Sequence, residues 1–269
     1  MRFKVNRSSN AYWRISIDNP PLNLMDPEFV DELAELMNEM ESSNDLKVVV
    51  FDSTNPDYFI AHVDLIRSAE FDLTPRSTGL SAWPDIARRF ELAPFIVIGL
   101  VRGRARAVGS EFVLALDLCF ASREKARFAQ IEMGCGLIPG GGGLERLPYM
   151  VGKKRAMEII IGADDFDADT ASQYGWINRS IPDNELDDFV DRFARRVASF
   201  DKDAIASAKK VIQKRLHLAP VEDFKETQKI FFDAISLPQT QIRIKKIIDA
   251  GFQQAGQFEL ELGKLIGEL

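Results

Sequence analysis

Histidine and cysteine are scarce in this chain of 269 residues, which contains two of each. Two imidazoles nearly exclude a histidine-rich metal site, and no metal is expected. A Ser-His-Asp triad would have to use His62 or His217, and the G-x-S-x-G turn that accompanies such triads is missing. Cys119 and Cys135 provide neither a disulfide framework nor a metal cluster, which fits a reducing compartment. Any proton transfer is therefore expected to use carboxylates.

The sequence also lacks long apolar runs and an excess of basic residues. No stretch approaches ~20 uninterrupted apolar residues, and the first residues contain no apolar segment of signal-peptide length. The 34 basic and 41 acidic residues give a net charge of −7, which argues against a general nucleic-acid or membrane surface. These absences predict a cytoplasmic protein without nucleic-acid or membrane partners. A mature organellar protein would have the same composition.

Strand patterns dominate the first half of the chain. Residues 1–18 alternate between apolar and polar side chains and predict a β-hairpin at a sheet edge. Leu46–Phe51 and Phe95–Val101 are short β-branched runs that predict buried strands. Short strands are also expected at Leu118–Ala121 and Arg127–Ala129.

Helical patterns separate these strands and dominate the second half. Asp26 and Pro27 form a strong helix start, and helices are also expected over 76–93 and Glu111–Ala115. Beyond about residue 142 the pattern is helical, apart from an extended piece at Trp176–Ile181. The order of elements predicts an α/β core with a helical C-terminal part in one compact unit.

The first segment that could carry chemistry is the loop after the first buried strand, Tyr58–Leu65. Loops at the carboxyl ends of buried strands are where α/β sheets usually bind ligands. An ordinary connection between two elements is the alternative interpretation.

The second segment, Val101–Glu111, runs from a strand through a small-residue turn into a helix. The free N–H groups of a helix start suit a developing oxyanion. Glu111 could serve such chemistry or merely complement the helix dipole. Arg102, Arg104 and Arg106 could meet phosphates, or they could lie on a solvated edge or an interface.

The third segment, Gln130–Pro139, is followed by four glycines at 140–143. No Lys-Ser/Thr pair follows the glycines, so this is not a Walker motif and a structural turn is the better interpretation. Glu132 lies in a stretch almost free of other charges. A carboxylate there needs either a hydrogen-bonding partner or a function.

Taken in this order, the three segments resemble the crotonase (enoyl-CoA hydratase/isomerase) superfamily. Asn19–Asn23 resembles the NP-x-x-N element of that family, and Asp117–Phe128 resembles its D-x-x-x-A…F stretch. Pro139–Leu147 resembles its P-x-x-G-G-x-x-x-L, and later G-x-x-x-A patterns extend the similarity to about residues 12–182. Each motif is weak alone, but the set is highly specific.

The resemblance implies a spiral ββα core at residues 1–200 and a C-terminal helical trimerisation region at 201–269. Homotrimers, or hexamers built as dimers of trimers, are implied. The N–H groups of Val63 and Val108 would hold the oxygen of an acyl-CoA thioester. Glu111 and Glu132 fall on the two positions that hydratases use for proton transfer, whereas isomerases commonly keep only the second.

The substrate implied by the resemblance is a 2-enoyl-CoA, with coenzyme A as part of the substrate and no separate cofactor. A double-bond isomerase, or another enolate reaction on a CoA thioester, is the alternative. A non-catalytic binder of CoA or RNA is a third possibility, against which the acidic charge and the two glutamates argue. The residues expected along CoA are Leu22, Leu24, Ala61, Asp64 and Leu65.

Three features depart from the family pattern. His62 replaces the usual glycine of the first loop, and Ala107 and Val108 replace the first two residues of a G-G-G run. These side chains narrow the site and restrict the backbone. Phe258–Lys264 replaces the usual C-terminal ending, which leaves open how a neighbouring subunit contacts CoA. His62 could contact a ligand or act as an acid or base, but a packed loop histidine is the favoured interpretation.

Overall fold

The computed structural model describes residues 1–216 and 219–269, which form an α/β fold. His217 lies outside the described residues. The strands among these residues are β1 (Phe3–Ser9), β2 (Tyr12–Ile17), β3 (Val48–Ser53), β4 (Tyr58–Ile60), β5 (Ile96–Val101), β6 (Arg104–Arg106), β7 (Leu118–Ser122), β8 (Arg127–Ala129), β9 (Phe166–Asp167) and β10 (Arg179–Ile181).

These strands form two sheets between which the chain alternates. One sheet has the order β1-β2-β3-β5-β7-β10, and the other has the order β4-β6-β8-β9. All neighbours pair in parallel except β1 with β2 and β8 with β9. Because β3 to β8 belong alternately to the first and second sheet, the chain winds as a spiral. The expected ββα spiral core is confirmed, as is the hairpin at the sheet edge.

Helices surround the sheets and form nearly all of the C-terminal part. They are α1 (Pro27–Ser42), α2 (Ala82–Leu92), α3 (Val108–Ala115), α4 (Gly143–Val151), α5 (Lys153–Gly162), α6 (Ala168–Tyr174), α7 (Asp183–Ala198), α8 (Lys202–Leu216), α9 (Val221–Ile235), α10 (Pro238–Asp249), α11 (Gln257–Leu260) and α12 (Leu262–Leu265). Within the described ranges, no helix is long and apolar enough to cross a bilayer.

The start of α1 shows how the sequence specifies a helix. The Asp26 side chain accepts a hydrogen bond from the Phe29 N–H at 2.7 Å, and Pro27 occupies the first helical position. Both features were expected, since the cap satisfies an N–H that the helix leaves unpaired and proline loses nothing there. The apolar residues that recur at helical spacing in the sequence of α1 are all buried: Phe29, Leu33, Leu36, Met37 and Met40.

Three expectations about the elements were wrong. The segment Tyr58–Leu65, expected as a loop, begins with strand β4, which pairs with β6 in the second sheet. Helix α2 begins at Ala82 rather than near residue 76, because the N–H of Thr78 and the hydroxyl of Ser77 bond to Asp85 and hold a non-helical turn. The second extended piece of the C-terminal half, β9, was not expected from the sequence. It is only two residues long and pairs with β8, and a strand this short shows no recognisable alternation of apolar and polar residues.

The C-terminal helices pack on the core of their own chain. Ile244 and Ile247 of α10 and Leu262 of α12 belong to one apolar cluster with Ala107 and Ile131. This cluster lies directly beside the second segment that the sequence singled out. The division of the chain at residue 200, and trimerisation by the later helices, stay predictions.

Candidate active site

One pocket gathers the four residues that the sequence placed at the reacting atoms. Val63, Val108, Glu111 and Glu132 all line a cavity with about 900 Å³ of empty space, part of it open to solvent. They come from the loop after β4, the first turn of α3, and a 3₁₀-helix at Glu132–Cys135. The spiral winding therefore brings together segments about 70 residues apart along the chain.

Hydrogen bonds of the neighbouring residues orient the Val63 peptide. The C=O of His62 accepts the N–H of Met25 at 3.0 Å, and the C=O of Met25 accepts the N–H of Asp64 at 2.9 Å. In a trans peptide the C=O and N–H point in opposite directions, so this contact turns the Val63 N–H away from Met25. The Val63 N–H has no acceptor among the described residues.

Val108 presents the second free N–H as the first residue of α3. The first N–H groups of a helix lack intrahelical partners, and no other acceptor within the described ranges meets this one. Ala107 precedes it with φ 47° and ψ −120°, a backbone conformation that strongly favours glycine. Such a conformation costs about 1–3 kcal/mol for a residue with a side chain, and it is typical of functional sites.

Gly109 is the one glycine kept from the usual G-G-G run, and the packing explains why. A Cβ at this position would lie 2.2 Å from the Ile60 carbonyl oxygen. Helix α3 therefore approaches the backbone of β4 too closely for any side chain. This contact holds the turn that carries Val108 against the strand that leads to Val63.

Glu111 is buried and held by the glycine run. One oxygen, Oε1, accepts the N–H groups of Gly141 and Gly143, both at 2.9 Å. Burial raises the pKa of Glu111 to about 7, and the two N–H bonds oppose that rise. The sequence interpretation of the glycines as a turn missed this role. The signal was available, because four glycines in a row free several N–H groups to meet an anion.

The Glu132 carboxyl receives fewer hydrogen bonds than the Glu111 carboxyl. Its Oε1 accepts the Gln130 side-chain N–H at 3.3 Å, and its buried Oε2 has no partner within the described ranges. Burial, and then the charge of Glu111, hold the pKa of Glu132 well above its usual range. The two carboxyls therefore differ in their preferred protonation state, with Glu111 the more readily ionised.

Aromatic and apolar side chains that the sequence did not single out as site residues also line the pocket. The Trp83 ring stacks on Phe112 with centroids 5.5 Å apart, and its buried Nε1 has no acceptor in the described part of the chain. A Cβ on Gly141 would lie 2.5 Å from that nitrogen and 2.3 Å from Glu111 Oε2, so both groups crowd the same glycine. Other large apolar side chains of the pocket include Phe71, Leu73, Leu137, Phe231 and Phe232.

The five residues predicted along CoA do not form one surface. Leu65 lines the pocket, whereas Leu22 and Ala61 are buried in a small cluster that is also contacted by Leu24 and by Leu260 of the C-terminal tail. The Asp64 side chain accepts a hydrogen bond from the Gln253 side chain at 2.7 Å. The tail of the same chain therefore covers this region, and contacts of these residues with CoA stay a prediction.

The three arginines after β5 are engaged within the chain. Arg102 pairs with Asp183, the Arg104 guanidinium donates to the Leu260 carbonyl oxygen, and Arg106 is completely buried against Asp165. None of the three lines the pocket. These contacts within the chain argue against phosphate binding. The solvated edge was wrong for Arg106, because its guanidinium is needed to satisfy buried acceptors inside the chain.

His62 is a packed residue, as favoured from the sequence, and it borders the pocket. Its Nε2 lies 2.9 Å from Glu259 Oε1, and its ring stacks on Phe252 with centroids 4.2 Å apart. Glu259 is fully buried in α11 and had no signal in the sequence, because 197 residues separate it from its partner. Two departures from the family pattern thus contact each other.

Comparison with known proteins places these features in a family context. The model of the family Enoyl-CoA hydratase/isomerase matches residues 7–249. A short-chain-enoyl-CoA hydratase from Clostridium acetobutylicum is 29% identical over 202 residues, which cover 74% of this chain and 77% of that protein. The mitochondrial enoyl-CoA hydratase of Pongo abelii is 28% identical over 231 residues, covering 85% and 78%.

A longer protein and a solved structure are also similar. The fatty acid oxidation complex subunit alpha of Vibrio vulnificus is 24% identical over 211 residues, which cover 78% of this chain and 30% of that protein. The crystal structure of a candidate enoyl-CoA hydratase from Streptomyces avermitilis is 36% identical with a TM-score of 0.93. That match covers 100% of this chain and 97% of the other.

Proposed function

The chain belongs to the enoyl-CoA hydratase/isomerase family, and from that membership we propose that it adds water to a 2-enoyl-CoA to give a 3-hydroxyacyl-CoA. One observation carries the choice of hydration: two buried glutamates, Glu111 and Glu132, line the same pocket as two free backbone N–H groups. Hydration needs one group to take a proton from water and one to give a proton to carbon.

In the proposed mechanism, the N–H groups of Val63 and Val108 bind the thioester oxygen. Negative charge develops on this oxygen as water adds to Cβ, and fixed donors stabilise it without having to reorient. Glu111, ionised and held by Gly141 and Gly143, takes a proton from water while the water oxygen bonds to Cβ. Glu132, protonated, then gives its proton to Cα. Proton exchange with solvent restores both carboxyls for the next turnover.

The assignment of base and acid predicts a pH profile. Because Glu111 must be ionised, we expect kcat/KM for a 2-enoyl-CoA to fall as pH decreases through the pKa of about 7 that burial gives this group. At higher pH the rate should stay level until Glu132 loses its proton, and then it should fall again. A rate profile from pH 5 to 10 checks this. An acid limb near the ordinary carboxyl pKa of about 4.3 would contradict the assignment.

The double-bond isomerase is the competing proposal, and labelled water separates the two. We expect wild-type enzyme in H₂¹⁸O to place ¹⁸O at C3 of the 3-hydroxyacyl product formed from a panel of 2-enoyl-CoA thioesters. Titration with acetoacetyl-CoA, whose enolate resembles the intermediate, serves as the binding control. Movement of the double bond in a 3-enoyl-CoA without ¹⁸O incorporation from any 2-enoyl-CoA would overturn hydration in favour of isomerisation.

Further aspects of the function rest on the same family membership. The apolar, aromatic end of the pocket around Trp83 and Phe231 supports a hydrophobic acyl group. We propose a homotrimer or hexamer, which would cover exposed apolar side chains such as Tyr149, Ile161 and Ile212. The net charge of −7 supports a small-molecule substrate over RNA, and a filter-binding salt titration distinguishes them. The cytoplasm stays the proposed location.

A further inference from the structure

The C-terminal segment 252–260 contacts both parts of the chain that carry the free N–H groups. One set of contacts reaches the loop that contains Val63, and another reaches the end of β6 just before Val108. Both sets form within a single chain, without a neighbouring subunit. We refer to residues 252–260 as the C-terminal clamp.

On the Val63 side, the clamp holds the ring of His62. The ring Nδ1 lies 2.8 Å from the Val63 carbonyl oxygen, and Nε2 lies 2.9 Å from Glu259 Oε1. A carbonyl oxygen and a carboxylate can only accept, so both ring nitrogens donate when Glu259 is ionised. Burial alone would raise the pKa of Glu259, but the charge and hydrogen bond of His62, the Gln253 N–H and the charge of Arg106 together lower it. The contact is therefore a buried ion pair, with 1% and 0% of the two side chains exposed.

A second contact of the clamp holds the residues that follow Val63. The Gln253 side-chain oxygen accepts the N–H of Leu65 at 2.8 Å, and its amide nitrogen donates to Asp64 Oδ1 at 2.7 Å. The backbone N–H of Gln253 donates to Glu259 Oε1, the same oxygen that receives the His62 ring. Gln253 and Glu259 thus act on the loop as one connected unit.

On the Val108 side, the clamp is bound by Arg106. This completely buried guanidinium donates to the carbonyl oxygen of Glu259 at 2.6 Å and to that of Leu260 at 3.1 Å. It also forms two hydrogen bonds to Asp165, at 2.8 and 2.6 Å. Arg106 is two residues from Val108, so Glu259 links the two N–H groups through its side chain on one side and its backbone on the other.

We propose that the C-terminal clamp sets the separation of the Val63 and Val108 N–H groups, with Glu259, His62 and Gln253 as positioning residues. The inference depends on the proposed function, because it assigns the two N–H groups to the thioester oxygen. His62 and Glu259 contact no reacting atom in this scheme. Displacement of one donor by about 1 Å is enough to lower a rate by about 10²-fold.

Replacement of Glu259 by glutamine tests the proposal, because it removes the charge and keeps the side-chain length. We expect Glu259→Gln to lower kcat about 10- to 100-fold while KM changes less than about threefold, since the donors act mainly in the transition state. Glu261→Gln is the matched control. Glu261 lies two residues further on and is exposed, and its side chain accepts one hydrogen bond, from Gln257, among the described residues.

A spectroscopic measurement separates positioning from a loss of structure. A conjugated 2-enoyl-CoA absorbs at longer wavelength when its carbonyl oxygen accepts hydrogen bonds, so the red shift on binding reports the two donors. We expect a smaller red shift in Glu259→Gln and an unchanged one in Glu261→Gln. The double variant H62Q/E259Q leaves no unpaired buried charge and should recover part of the lost kcat.

Gln253→Ala covers the case in which Glu259→Gln does not fold, because it removes the side-chain contacts to Asp64 and Leu65 but keeps the buried His62–Glu259 pair. Asp64 still accepts the N–H of Arg67. It should lower kcat and the red shift in the same direction. Wild-type kcat and red shift in Gln253→Ala, or in a folded Glu259→Gln, would overturn the clamp. If wild-type enzyme shows neither hydration nor a red shift with any enoyl-CoA, the proposed function itself has failed.

Discussion

Glu111→Gln and Glu132→Gln should each lower kcat for a 2-enoyl-CoA by at least about 10²-fold, the effect typical of a lost general acid or base. The amide of Glu111→Gln can still accept the N–H groups of Gly141 and Gly143, so its position should be kept. It cannot take a proton from water. At position 132 the amide has no acidic proton for Cα. Steady-state rates with a 2-enoyl-CoA check both variants.

A third buried glutamate provides the control for these substitutions. Glu145 lies in α4, is buried like the other two, and does not line the pocket. The pKa of Glu111 depends most on burial and on its two backbone hydrogen bonds. The charge of Glu145 is the next largest cause, and it raises that pKa. Glu145→Gln should therefore move the acid limb of the pH profile to lower pH while kcat at pH 8 stays within about twofold. If Glu111→Gln leaves kcat for hydration unchanged, Glu111 only complements the dipole of α3 and the proposed two-carboxylate mechanism is contradicted.

Val63→Pro should abolish nearly all activity, whereas Val108→Ala should retain most of it. Loss of one oxyanion donor typically costs about 3–4 kcal/mol of barrier, or 10²–10³-fold in kcat. Proline removes the N–H, and the hydrogen bonds that hold this loop to Met25 use His62 and Asp64 instead. Val108→Ala keeps the N–H and changes only the side chain. Initial rates of both variants test whether the backbone carries the effect.

Two measurements distinguish loss of the N–H group from misfolding of the Val63→Pro variant. Circular dichroism should be unchanged in Val63→Pro, and binding of free CoA should persist, because neither depends on the thioester oxygen. Full activity in folded Val63→Pro would remove that N–H from the mechanism. An equal loss in Val108→Ala would instead assign the role to the valine side chain.

The residues proposed to act at the reacting atoms could be singled out from the sequence because their motifs are short and local. A strand followed directly by a small-residue turn and a helix predicts a free N–H near Val108. An isolated carboxylate such as Glu132, in an apolar stretch, predicts either a hydrogen-bonding partner or a function. The order of these segments led to the family resemblance, and the resemblance implied the roles of Val63, Val108, Glu111 and Glu132. The structure confirms that these segments border one pocket, while their catalytic roles stay proposals.

What the sequence could not supply are contacts between distant segments. Nothing near His62 indicates a carboxylate 197 residues away, and nothing near Leu22 or Ala61 indicates that Leu260 covers them. The glycine run was assigned to a turn because its partner, Glu111, lies 30 residues earlier. Patterns of local periodicity contain no information on such pairs, which are specified only once the whole chain has packed.

The close approach of the Ile60 carbonyl oxygen to Gly109 determines which positions of the turn 107–109 can accept a side chain during evolution. Ala107 and Val108 show that side chains are tolerated at the first two positions of the run, since the proposed chemistry uses only backbone there. At the third position any Cβ would push against the Ile60 carbonyl oxygen, 2.2 Å away, and separate α3 from β4. A search for remote relatives should therefore give little weight to the first two glycines and much to the third. Divergence at 107 and 108 can then reshape the pocket wall while the distance between helix and strand is kept.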